Sequence, residues 1–201
     1  MRTDRELQVI EAAYCVFFRY GFGRTTMGDL AKAAGMSRPA LYLVFPGKEE
    51  VFRAVVEWMS DGLLANIESS LKADWSLERK LTHVLELCVA QPYEQVKANP
   101  DAQDLLALDS QMPALEKTYD QLHAYLAGLL ETAVKESGLA VTTKEVARTL
   151  MSAIRGFKLV AADGKDLRRL ITTQVHLVTA ALAAGTSGAA VSRARAPRKA
   201  A

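Results

Sequence analysis

An all-α fold follows from three features of this sequence. Long stretches carry apolar residues at three- and four-residue spacing, period-two alternation is hard to find, and glycine and proline are sparse, 12 and 6 of 201 residues. Half of the residues are apolar, so a chain of this length can bury a sizeable core. The helices sort into an N-terminal three-helix unit over residues 1–48 and a helical body over 49–184. Residues 185–201 lack apolar periodicity and read as a disordered basic tail.

Thr3-Asp4-Arg5-Glu6 is a capping box, and Leu7, Ile10, Ala13 and Phe17 mark one face of a first helix ending near Gly21. Phe17, Phe18, Phe22, Leu30, Leu41 and Phe45 are expected to supply most of the small unit's core. Next comes the stretch around which the chain is organised, TMGDLAKAAGMSRPALYLVFPGKEEVF, residues 26–52. Met27, Leu30, Ala31 and Ala34 recur at helical spacing, and Gly35 supplies the residue that can take positive φ where the helix ends. Ser37 can cap a second helix over about 38–44, with Pro39 tolerated in its first turn. Phe45 precedes Pro46 and is pushed out of the α region, so that helix stops. Helix, glycine-containing turn, short helix is the helix-turn-helix plan, whose second helix enters the DNA major groove.

These residues resemble the tetracycline-repressor (TetR) family of bacterial regulators, whose segment commonly reads T-x-x-x-I/L-A-x-x-A-G-V-S-x-x-x-L-Y-x-H/Y-F-x-x-K-E. The match here is Thr26, Leu30, Ala31, Ala34, Gly35, Ser37, Leu41, Tyr42, Phe45, Lys48 and Glu49. Met36 replaces the usual Val, and Val44 stands where the family often places a His or Tyr that touches DNA. The resemblance is firm over about residues 7–52. It implies a DNA-binding domain followed by a helical domain that binds a ligand and dimerises.

From Lys48 the helical pattern runs to about Leu71, some 36 Å at 1.5 Å per residue. Gly62 within it marks either a bend or a close helix contact. Ser76 opens a helix to about Ala90, which Gln91-Pro92 either interrupts or kinks. Asn99-Pro100 and Met112-Pro113 bound a short helix with Leu105, Leu106 and Leu108. Pro113 starts a long helix carrying Leu115, Tyr119, Leu122, Leu126, Leu129 and Ala133 and ending at Gly138. Thr142 or Thr143 caps the next, with Val146, Leu150, Ile154, Phe157 and Ala161 on one face. After Asp163-Gly164 a last helix carries Leu167, Ile171, Gln174, Val178, Ala181 and Leu182. These two helices, about 143–162 and 165–184, are apolar on more than one face, which points to burial against a second copy, with Ile154 and Val178 as test positions.

Charge is uneven: residues 1–48 hold seven Lys/Arg against four Asp/Glu, whereas 49–184 hold 14 against 19. A basic front and an acidic body suit a chain with one end on phosphate. Cys15 and Cys88 lie in apolar helical patterns without metal or redox spacing and read as buried thiols, which with the lack of a secretory signal points to the cytoplasm. Residues 170–192 carry no Asp, Glu, Lys or Arg but hold eight polar side chains, so a packed helix is expected and no membrane span. No His-Glu-x-x-His, Gly-x-Ser-x-Gly, P-loop or dinucleotide fingerprint is present, so no enzyme and no cofactor is expected. His83, His123 and His176 lie far apart on separate helices, and no metal site is expected.

Arg38 is placed to reach a guanine edge or a phosphate, and Pro39, Ala40 and Leu43 to meet thymine methyls. The resemblance implies phosphate contacts at Tyr42 and Lys48; Thr26 and Ser37 cap the motif helices near the backbone. In the body, Trp58, Trp75, Tyr93, Met112, Tyr119, His123, Tyr125 and Phe157 are candidates to line a cavity for a small apolar or aromatic effector. The expectation is a homodimeric regulator, most often a repressor, on a palindromic operator. The alternative is a DNA-bound organising protein without a small ligand.

Overall fold

In the computed structural model the described residues are 2–107 and 113–194, and every regular element among them is helical. The first four helices are α1 (Asp4–Arg24), α2 (Met27–Ala33), α3 (Arg38–Val44) and α4 (Lys48–Ser70). Then follow α5 (Leu77–Leu85), α6 (Gln91–Lys97), α7 (Asp104–Ala107), α8 (Pro113–Ser137), α9 (Thr143–Val160) and α10 (Gly164–Ala194). They form two compact units, Met1–Ser70 with Gln91–Asp120 and Leu71–Ala90 with Gln121–Ala201. The boundary expected between residues 48 and 49 thus falls inside the first unit. The reason is packing: Val51, Phe52, Val55 and Val56 of α4 share one buried cluster with α1, α2 and α3.

In the first unit, Thr3 and Glu6 close the capping box at the start of α1, and Arg2 pairs with Asp61 of α4 at 3.0 Å. Val9, Ile10, Ala13 and Phe17 of α1 meet Leu30, Leu41, Phe45 and Phe52. Phe17, Phe22 and Phe52 form an aromatic knot with ring centroids 5.1–5.8 Å apart. Phe18, expected in the core, is half-buried and lies on Tyr14 at 4.6 Å. It points one helical step away from the face that α4 covers. Gln8 Nε2 donates to Ala34 O at 2.8 Å, tying α1 to the end of α2.

The interruption or kink expected at Gln91-Pro92 takes a specific form. Between α5 and α6 the helix widens into a π-helical stretch, Glu86–Ala90. Pro92 has no N–H to give a carbonyl one turn back, and the looser turn carries the helix past it without a break. A 3-10 turn, Pro100–Ala102, and α7 then pack against α1. They stand where one short helix was expected; Leu108 lies outside the described residues.

In the second unit α10 packs against α5 and α9. Leu81 and Leu85, Leu126 and Leu130, Leu150 and Ile154, and Leu167, Ile171 and Val175 are all buried there. Arg168 of α10 holds Glu86 with a two-pronged contact, Nε to Oε2 at 2.9 Å and Nη2 to Oε1 at 2.7 Å. Thr142, not Thr143, caps α9.

Three expectations need correction. Residues 185–194 are helical, not disordered, because α10 continues to Ala194. Once a helix is nucleated each further residue adds a hydrogen bond, which carries α10 on from its packed part; residues 195–201 lie outside the described residues. Cys15 is exposed, on the side of α1 away from the core, whereas Cys88 is half-buried and the desolvation of its thiol pushes its pKa up to about 12. At Gly62 a side chain would meet nothing within 4 Å, so the glycine does not serve a close helix contact. No described helix is long and apolar enough to cross a membrane.

Candidate nucleic-acid interface

The helix-turn-helix is built from local signals. Thr26 caps α2, accepting from Asp29 N at 3.3 Å, while Asp29 Oδ2 accepts from Thr26 N at 2.9 Å and from its hydroxyl at 2.6 Å. The Thr26 hydroxyl and amide bonds hold the Asp29 carboxyl below its usual range. At the other end Met36 N bonds Ala31 O and Gly35 N bonds Lys32 O, the double closure of a Schellman motif. That closure needs a left-handed residue, and Gly35 takes φ 65°. Ser37 Oγ then accepts from Ala40 N at 3.3 Å and starts α3.

Leu41 fixes which side of α3 faces out, since it is fully buried against α1 and α2 while Arg38, Pro39, Tyr42 and Leu43 stay exposed. Leu43 is 89% exposed, so its whole side chain is free to meet a surface laid on α3. Arg38 Nη2 donates to Tyr42 Oη at 3.3 Å, and its guanidinium sits 5.7 Å from the ring centroid. One helical turn apart, these two make a polar edge beside the apolar Pro39–Leu43 edge. Ala40 is half-buried. Val44 packs against the core, so the position that often carries a polar residue in the TetR pattern faces inward here. Lys48 is half-buried: its Nζ donates to Phe22 O at 2.8 Å and lies 4.3 Å from that ring's centroid. One of its three donors is therefore spent on the end of α1.

The profile described as "Bacterial regulatory proteins, tetR family" matches residues 9–55, the span of α1 to α4's first turns. A solved tetR-family transcriptional regulator from Streptomyces coelicolor superposes with a TM-score of 0.68 at 22% identity, covering 99% of this chain and 93% of that one. Residues 9–55 thus form a DNA-binding segment of the tetR family. Among curated tetR-like relatives, the uncharacterized HTH-type transcriptional regulator YfiR of Bacillus subtilis (strain 168) is 41% identical over 69 residues. That match covers 34% of each protein, so the chain aligns with about a third of this relative's length. The nucleoid occlusion factor SlmA of Marinomonas sp. (strain MWYL1) matches at 23% identity over 77% of this chain and 81% of its own.

The body candidates are divided between the two units. Trp58, Tyr93 and Tyr119 belong to the first unit, where Trp58 packs on the core and Tyr93 is 1% exposed. Trp75, His123, Tyr125 and Phe157 belong to the second, and Met112 lies outside the described residues. Within the second unit, α5 and α10 flank a pocket of about 530 Å³ whose wall includes Trp75, Arg79, His83, Glu86, Arg168 and Thr172. Arg79 lies over Trp75 at 4.2 Å and His83 meets its edge at 5.1 Å. Of the residues singled out as ligand candidates, this pocket uses Trp75. The four-residue spacing of Trp75, Arg79 and His83 was a signal in the sequence; their meeting with Arg168 was not. Elsewhere, His123 Nε2 is buried with no hydrogen-bond partner among the described residues.

Proposed function

We propose that this chain is a homodimeric transcription regulator that binds a two-half-site DNA operator through α3 and is released from it by a small molecule, most simply as a repressor. The observation that carries the reading is the outward face of α3: a guanidinium and a phenol beside an exposed Pro39–Leu43 edge, on a helix anchored by Leu41. Arg38 can read a guanine, Leu43 and Pro39 can meet thymine methyls, and Tyr42, Lys48, Thr26 and Ser37 hold the backbone.

Dimerisation is supported by α9 and α10. Leu159, Val160 and Leu177 are 83%, 73% and 60% exposed, beside small residues such as Ser152, Gly156 and Ala180 that let another helix approach closely. An effector is supported by His123, because a buried nitrogen without a partner costs about 1–3 kcal/mol, which a ligand's polar group would offset. Such an effector pairs an apolar or aromatic body with one hydrogen-bonding group.

DNA selected from a random pool tests the first claim. Tyr42→Ala should weaken all sequences about equally, whereas Arg38→Ala should relax preference at one base pair per half-site by roughly 1–3 kcal/mol. An even loss everywhere from the Arg38 variant would remove its base-reading role. For the effector, reciprocity sets the check: a ligand that lowers operator affinity by about five- to 150-fold must itself bind that much more weakly to the DNA-bound protein. Equal ligand affinity with and without operator excludes release by this route.

A second reading, an organising protein that holds DNA without a small ligand, is favoured by the length of the match to the nucleoid occlusion factor. A chain that binds its selected DNA but responds to no compound docked at His123, with His123→Leu unchanged in stability, would support it.

A further inference from the structure

The turn that ends α1 is held by a residue more than 80 positions away. Gly21 breaks α1 with φ 79°, and the turn after it presents two amides to one carboxylate: Phe22 N to Asp104 Oδ1 at 3.3 Å and Gly23 N to Asp104 Oδ2 at 2.6 Å. A side chain at Gly21 would overlap both Asp104 Oδ1 and the carbonyl of Asp101. Arg24 pairs with Asp101, and the Thr25 hydroxyl donates to Gly21 O at 2.6 Å. From the other side Lys48 donates to Phe22 O. One turn, Gly21–Thr25, thus joins α1, the cap of α2, the start of α4 and the acidic pair ahead of and within α7.

We propose that Asp104 is a positioning residue for DNA binding: its carboxylate latches the end of α1 onto α7 and so sets the pose in which α2 and α3 are presented. The caps, the glycine turn and the buried core residues of the helix-turn-helix lie within residues 3–56, with Leu105 of α7 packed, partly buried, against them, so Asp104 is not what fills that core. The latch is made of exposed hydrogen bonds, which add little to stability and form or break readily. What they constrain is direction. A carboxylate shared by two adjacent amides fixes the turn against α7 in a way that apolar packing alone does not. Two heads that must enter major grooves about 34–36 Å apart tolerate only small changes of pose, so the latch acts on spacing and not on base chemistry. This rests on the two-headed reading given above.

The test uses the full chain, the site it selects from random DNA, a single half-site, and sites with one base pair added or removed between half-sites. Wild type should lose about 100-fold on altered spacing, a loss typical of contacts forfeited at one head. Asp104→Ala should bind the selected site about tenfold more weakly, keep the wild-type affinity for the half-site, and lose only a few-fold more when the spacing changes. Asp104→Asn keeps one acceptor oxygen and should fall between. Amide exchange, read in the same proteins without DNA, should quicken at Phe22 and Gly23 alone. Unchanged exchange at those amides, or an Asp104→Ala protein that keeps the wild-type spacing penalty or loses the half-site equally, overturns the proposal. A wild type indifferent to spacing would instead defeat the two-headed reading, with the exchange result still deciding the latch.

Discussion

Leu177→Glu, alone or with Leu159→Glu, is expected to leave a folded monomer with operator affinity reduced by about 10²- to 10⁴-fold, the advantage that linking two half-site contacts confers. Both leucines stand out from the second unit, so a carboxylate there stays hydrated in the single chain. It becomes costly only when a second copy covers it, since an uncompensated buried charge opposes association by several kcal/mol. Ile154, which sequence periodicity nominates for the same experiment, is the wrong probe: it is fully buried within its own unit, and Ile154→Glu should unfold that unit. Val178 is half-buried and intermediate between the two cases. Sedimentation gives the mass, and anisotropy on a fluorescent site gives the affinity. Folded, unchanged dimers from the Leu159 and Leu177 variants would place the interface elsewhere.

Phe17→Ala is expected to destabilise the first unit by about 3–5 kcal/mol, the cost of emptying an aromatic core site. Its ring is fully buried and wedged between Phe22 and Phe52, joining the turn after α1 to α4. Because that turn also receives Lys48, binding should be lost through a melted head at temperatures where wild type still binds. Phe18→Ala, one residue on, removes a half-buried ring that lies on Tyr14 and should cost far less. Thermal unfolding followed by circular dichroism separates them. Equal losses would mean that the buried face of α1 is not the one described.

The two phenylalanines show where periodicity was informative and where it stopped. Spacing placed α1 and its inward face, but adjacent residues on a helix are about 100° apart, and only packing decides that Phe17 is covered and Phe18 is shared with solvent. The same limit applies to α9, where Ile154 and Leu159 are both apolar. Nothing in their order tells which meets the chain's own core and which is left for a partner.

Residues 26–45 determined their own structure. The Thr26 and Ser37 caps, the left-handed Gly35 and the halt of α3 before Pro46 are bonds and clashes between residues at most five apart, so their identities suffice to set the local geometry, while the packing of Leu41 against α1 and α2 leaves Arg38, Tyr42 and Leu43 outside. Only the tertiary structure decided that Asp104 closes on Phe22 and Gly23, that Arg168 reaches Glu86, and that Trp75 shares a pocket with α10. Those partners are separated by some 80 to 100 residues, and each is an ordinary polar or aromatic residue in its local pattern. Their meeting depends on how whole helices pack, which is set by the sum of apolar burial along them and by no signal at the residues themselves.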